Sequence, residues 1–75
     1  MSQRLPAVKP KQLIRVLERE GWQLDRVRGS HHVFRHPDQR RRVVVPVHGR
    51  ELRPGTLRSI LDASGISRDD LRRLL

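Results

Sequence analysis

The chain contains no cysteine, so no disulfide framework can brace it. Its apolar runs fall far short of the roughly 20 residues that span a bilayer. The opening MSQRLPAVKP has no apolar h-region of the kind a secretory signal needs. These absences lead to the expectation of a soluble, cytoplasmic protein. Acid is scarce too, with 8 Asp+Glu against 17 Lys+Arg, a formal net charge of +9 with histidine neutral. Lysine is scarcer still. Only Lys9 and Lys11 are present, so the other fifteen bases are arginine. A guanidinium fork grips phosphate with two parallel hydrogen bonds, where an ammonium offers a point charge. The balance therefore points to a phosphate polymer as partner. An acidic protein partner, or a merely solvating basic surface, is the competing explanation.

At 75 residues there is room for one domain with a thin core. No repeat or low-complexity stretch divides it, so residues 1–75 are expected to form a single domain. Residues 1–9, with Pro6 and no periodic pattern, are expected to be a frayed tail. Pro10 suits a first helical turn. Leu13, Ile14, Val16 and Leu17 follow at helical spacing, and Gly21 supplies a left-handed stop, which predicts a helix over 10–20. Trp22, Leu24 and Arg26 alternate with Gln23 and Asp25 as in a strand. Gly29-Ser30 interrupts, His31–His36 is a second strand, and the turn HPDQR (36–40) leads to a third over 41–47. Pro46 cannot donate to a ladder, so that strand ends or lies at an edge there. HGREL is a loop. Pro54 opens a second helix with Leu57, Ile60, Leu61 and Ser64 on one stripe, closed by Gly65. Ser67 to Asp70 resembles a capping box before a short last helix. The expected fold class is α+β, in the order α-β-β-β-α plus a small C-terminal helix.

Two short helices cover only one face of such a sheet. Phe34, the sole phenylalanine, should point toward them. Strand alternation then puts His32 and His36 on the covered side and His31, Val33 and Arg35 on the open side.

All four histidines fall between Val27 and His48. A metal site usually needs three or four convergent ligands. Adjacent His31 and His32 diverge in a strand, and no carboxylate is placed with His36 and His48, so no metal is expected. His32 and His36 read as fillers that donate to backbone carbonyls near the sheet ends, and His48 as a pin for the loop into the second helix. His31 stands apart. It follows Gly29-Ser30, where a sharp turn leaves backbone N–H groups unpaired, and it lies on the open face with Arg28, Arg35 and the Arg40, Arg41, Arg42 run. Imidazole exchanges protons near neutral pH. Against a phosphodiester it would serve as base to a ribose 2′-hydroxyl or acid to the leaving 5′-oxygen, with arginines holding the phosphate. RNA brings its own nucleophile, so such chemistry needs no cofactor.

The pieces Glu20-Gly21-Trp22, Gly29-Ser30-His31, Val45-Pro46-Val47-His48 and Leu52-Arg53-Pro54-Gly55-Thr56-Leu57, followed by Ile60-Leu61 and Gly65, resemble the HicA (YcfA-like) family of bacterial toxins over residues 9–66. The resemblance implies a fold like a double-stranded-RNA-binding domain, with a three-stranded antiparallel sheet covered on one face by two helices. It implies an mRNA interferase, an endoribonuclease of a toxin–antitoxin system, restrained by a HicB-type antitoxin. The family's catalytic histidine follows the Gly-Ser pair, which lands on His31. Ser30 and His48 are auxiliary candidates. Lys9, Lys11, Arg28, Arg35, Arg40, Arg41 and Arg42 are the expected RNA contacts, and the free toxin is expected to be a monomer. Two readings compete: a non-catalytic RNA-binding module of the same fold, and a protein-interaction piece whose basic face meets only an acidic antitoxin.

Overall fold

The first helix, α1 (Pro10–Arg19), starts on a proline whose missing N–H would have had no partner there. Just before it, the Lys9 amide donates to Gln12 Oε1 at 2.9 Å, and the Lys9 carbonyl accepts from the Gln12 and Leu13 amides. Leu13, Val16 and Leu17 form its buried stripe. The chain leaves through Gly21 at φ +94°, a left-handed conformation that glycine adopts readily. The Trp22 amide then closes back on the Leu17 carbonyl at 3.0 Å. The computed structural model describes residues 5–75.

Three strands follow, β1 (Gln23–Arg28), β2 (His31–His36) and β3 (Gln39–Pro46), in an antiparallel sheet of order β1-β2-β3. Helices α2 (Pro54–Ser64) and α3 (Arg68–Leu74) complete the α+β architecture. The strands run further than the sequence pattern predicts. β1 continues to Arg28 and β3 begins at Gln39, which shrinks the turn expected over 36–40 to Pro37-Asp38. Two tight hairpins leave the backbone groups near the turns free to pair, so the ladder extends into them. Pro46 closes β3, and the next amide, Val47, donates to the Ser30 carbonyl at 2.6 Å.

Phe34, Val43 and Val45 point inward and join Leu13, Leu17, Trp22, Leu57, Ile60, Leu61 and Leu71 in one core. Gly65 ends α2 in the left-handed conformation that its position predicts. The helices sit over β2 and β3, leaving β1 exposed along its length. Leu24 and Val27 share the covered side of the sheet through their partners Phe34 and His32, yet each is about half exposed (51% and 49%) because no helix reaches them.

The tail expected over residues 1–9 is not frayed throughout. Residues 1–4 lie outside the described residues. Val8, however, is fully buried, and its carbonyl accepts from the Leu52 amide at 2.8 Å, tying the segment before α1 to the loop before α2. An apolar side chain with a core to enter and a backbone partner outweighs the lack of local periodicity.

At α3, the Ser67 hydroxyl accepts from the Asp70 amide at 3.0 Å, which is the N-cap half of the expected capping box. The Asp70 carboxylate is held below its ordinary value of 3.8, first by the Arg73 guanidinium hydrogen-bonded at 3.1 Å and then by the Ser67 hydroxyl. A carboxylate whose folded pKa is depressed contributes stability above its unfolded value and loses it as pH falls through the folded one. Asp70→Asn should therefore lower the melting temperature at neutral pH. The gap from wild type should close as the pH is taken below about 3.8 in thermal melts. A gap that stays constant across that window would show that the Asp70 charge contributes nothing to stability.

Candidate active site

Gly29, at φ +56°, and Ser30 form the tight turn between β1 and β2. His31 is the first residue after it. Its cross-strand neighbours are Arg28 on β1 and Pro46 on β3. Directly opposed residues project to the same side of a sheet. His31 and Arg28 therefore stand side by side and exposed on the face away from the helices. Next along this face comes the row Arg26, Val33 and Val44, then Gln23 and Arg35, with Arg42 at the far end. The open face is thus a strip with a histidine–arginine corner, an apolar middle and a second basic end. At that second end Asp25 intrudes. Its carboxylate lies 3.4 Å from Arg42 Nε and 3.8 Å from Arg26 Nε.

The other three histidines are placed quite differently. His36 donates from Nε2 to the Glu20 carbonyl at 3.0 Å and accepts at Nδ1 from the Asp38 amide at 3.0 Å. Its ring meets Trp22 edge-on, with centroids 5.2 Å apart. It is a structural filler bonded to a backbone carbonyl, as its register predicts. His32 also faces inward, between Val27 and Val45, but the carbonyl partner expected for it is absent. Its Nδ1 is buried with no hydrogen bond, because the valines that flank it offer no acceptor. His48 accepts from the Arg50 amide at Nδ1 (3.3 Å), which pins the loop after β3 and leaves Nε2 as the uncommitted nitrogen. His31 makes no hydrogen bond or ion pair among the described residues.

The expected RNA contacts do not all gather around His31. Arg28 does. Arg35 lies four strand residues away, roughly 13 Å at ~3.3 Å per residue. The Arg40–Arg42 run returns at the opposite end of β2, because antiparallel pairing sets Pro46, not the arginines, across from His31. Lys9 and Lys11 belong to the start of α1, in the helix layer rather than on the open face. Sequence reasoning also missed Arg26. Alternation from Trp22 and Leu24 would put it on the covered side. A bulge between Leu24 and Arg26 adds a residue to β1 and turns Arg26 outward. Arg50 and Arg53, in the loop following β3, carried no periodic signal at all. They line a cleft of about 820 Å³ together with Pro46, His48, Glu51 and Thr56. Among the described residues no three His, Asp or Glu side chains gather as a metal ion requires, and no helix is long and apolar enough to cross a membrane.

These features define a small basic α+β domain with one bare sheet face. Residues 10–66, most of the chain, match the family model described as "HicA toxin of bacterial toxin-antitoxin", and the chain belongs to that family. It is a toxin of a toxin–antitoxin pair, and an antitoxin is its partner. No curated protein matches the chain.

Proposed function

We propose that this toxin is an endoribonuclease that cuts messenger RNA in the cytoplasm without a metal cofactor, using His31 for proton transfer. The carrying observation is the placement of His31: exposed, without a hydrogen-bond partner among the described residues, at the corner of the open face, with Arg28 as its cross-strand neighbour. In the reaction the ribose 2′-oxygen attacks phosphorus and gives up its proton as the bond to the 5′-oxygen breaks and that oxygen takes a proton. The products are a 2′,3′-cyclic phosphate and a 5′-hydroxyl. His31 serves one of the two transfers as general base or acid. Ser30, in the preceding turn, and His48, with its uncommitted Nε2, are the auxiliary groups available for the other. Arg28 takes the scissile phosphate and offsets the charge that builds on it. Arg26, Arg35 and Arg42 hold neighbouring phosphates along the strip. A HicB-type antitoxin carrying acidic groups would silence the toxin by covering the same basic face.

Cleavage of end-labelled RNA in EDTA tests the reading. Fragments ending in cyclic phosphate are expected at an undiminished rate, and a substrate with 2′-deoxyribose at the cut should stay whole. A retarded but intact RNA band would establish the binding-only module instead, and absence of both cleavage and binding would leave a purely protein-directed surface.

A further inference from the structure

The cleft between β3 and α2 lends the chemistry above only His48, and it shares a wall with the reaction corner. Pro46 lies directly across from His31 on one side and lines the cleft on the other. Its volume, about 820 Å³, falls within the ~300–1,000 Å³ typical of ligand pockets. Arg50 and Arg53 stand on its rim, exposed, and neither guanidinium has a hydrogen-bond or ion-pair partner among the described residues. Several arginines elsewhere already face a carboxylate: Arg42 and Arg26 meet Asp25, Arg72 meets Asp69 and Arg73 meets Asp70. The cleft arginines are uncommitted despite Glu51 lying in the same lining.

We propose that this cleft is a nucleotide subsite, holding the ribose-phosphate unit next to the one cut at His31. Arg50 and Arg53 take its phosphate, while Glu51 accepts from donors on the sugar or base. That donor–acceptor mix suits a nucleotide. A nucleotide places its donors, the ribose hydroxyls and base N–H groups, at a fixed distance from its one phosphate, so the arginines and Glu51 are each met by a different part of it. His48 lines the same cleft, with Nε2 as its free nitrogen. The substrate would then run from the sheet strip, past His31, into the cleft. This assignment rests on the RNA-cleaving reading of His31 and extends the substrate beyond the open face.

The test uses the full chain carrying His31→Ala, which binds RNA without consuming it, and oligouridylates of increasing length. Affinity should rise with length. Adding Arg50→Gln and Arg53→Gln should lower affinity for a ten-nucleotide RNA about tenfold or more. The salt dependence should flatten by ~0.7 in log–log slope for each phosphate that is no longer neutralised. A matched pair, Arg15→Gln and Arg19→Gln, removes the same two charges from the exposed side of α1 and should leave the slope unchanged. Arg50→Lys with Arg53→Lys keeps the charge while removing the fork, and should fall between the two. Thermal melts confirm that each variant is folded. Equal affinities and slopes for the cleft pair and the α1 pair would overturn the subsite. Failure of the His31→Ala chain to bind RNA at any length would overturn the RNA-directed reading itself.

Discussion

Replacing His31 with alanine should reduce the RNA cleavage rate by ~10²–10⁴, the usual contribution of a positioned proton-transfer group. Growth arrest by the toxin should disappear with it. The fold should hardly notice. His31 is exposed and stands on the face away from the core, so the change in stability should stay below about 1 kcal/mol, as for other surface substitutions. RNA affinity should survive as well, because the arginines hold the phosphates. The neighbouring doublet supplies the control. His32→Ala removes a ring whose Nδ1 is buried without a partner on the covered side, so its effect belongs to folding, and cleavage per folded molecule should persist. Single-turnover rates of both variants, normalised to the folded fraction from thermal melts, decide the matter. A His31→Ala protein that cuts at the wild-type rate, or a His32→Ala protein that is folded and inert, would move the proposed chemistry to the other imidazole.

The histidine placement was legible because strand alternation needs only one anchor. Phe34 has a single sensible destination in a chain with one phenylalanine, and its inward turn puts His32 and His36 on the covered side and His31 and Val33 outside. The helix ends were legible for a similar reason. Pro10, Pro54, Gly21 and Gly65 act through their own backbone preferences, which owe little to tertiary context. What escaped were consequences of pairing. The bulge at Asp25 reverses the facing of Arg26, and nothing in the local pattern announces it. Likewise, Arg35 lies four strand positions along from His31, and antiparallel return places Arg40–Arg42 beside the wrong end of β2 for them to serve His31 directly. Nearness in sequence stood in for nearness in space. The cleft arginines, Arg50 and Arg53, sit in a loop whose shape is set by the Leu52–Val8 hydrogen bond, a tie between segments more than forty residues apart.

Substituting Gly21 with alanine should be the most damaging single-methyl change on the surface. Two costs coincide there. At φ +94° an L side chain is strained whatever its surroundings, a penalty of ~1–3 kcal/mol. A Cβ added at this position would also stand 2.7 Å from His36 Nε2, the nitrogen that donates to the Glu20 carbonyl. The ring cannot retreat freely. Its other nitrogen accepts from the Asp38 amide, and its edge packs on Trp22. Relief of the clash breaks a bond that ties the β2–β3 hairpin to the end of α1, at ~0.5–1.5 kcal/mol for an exposed hydrogen bond. Together these approach half of the ~4–11 kcal/mol that 0.05–0.15 kcal/mol per residue allows a domain of this size. The melting temperature should drop by at least about 6 °C, given ~4–8 °C per kcal/mol for small domains. A double-mutant cycle separates the two parts. His36→Ala alone loses the hydrogen bonds, and in that background Gly21→Ala should cost only its backbone strain, so the double variant should be less destabilised than the sum of the singles. Strict additivity would remove the clash from the account, and a Gly21→Ala protein within about 0.5 kcal/mol of wild type, the range of an ordinary surface change, would remove both parts. Because the lock lies at the opposite end of β2 from His31, cleavage per folded molecule should be the same in all four proteins.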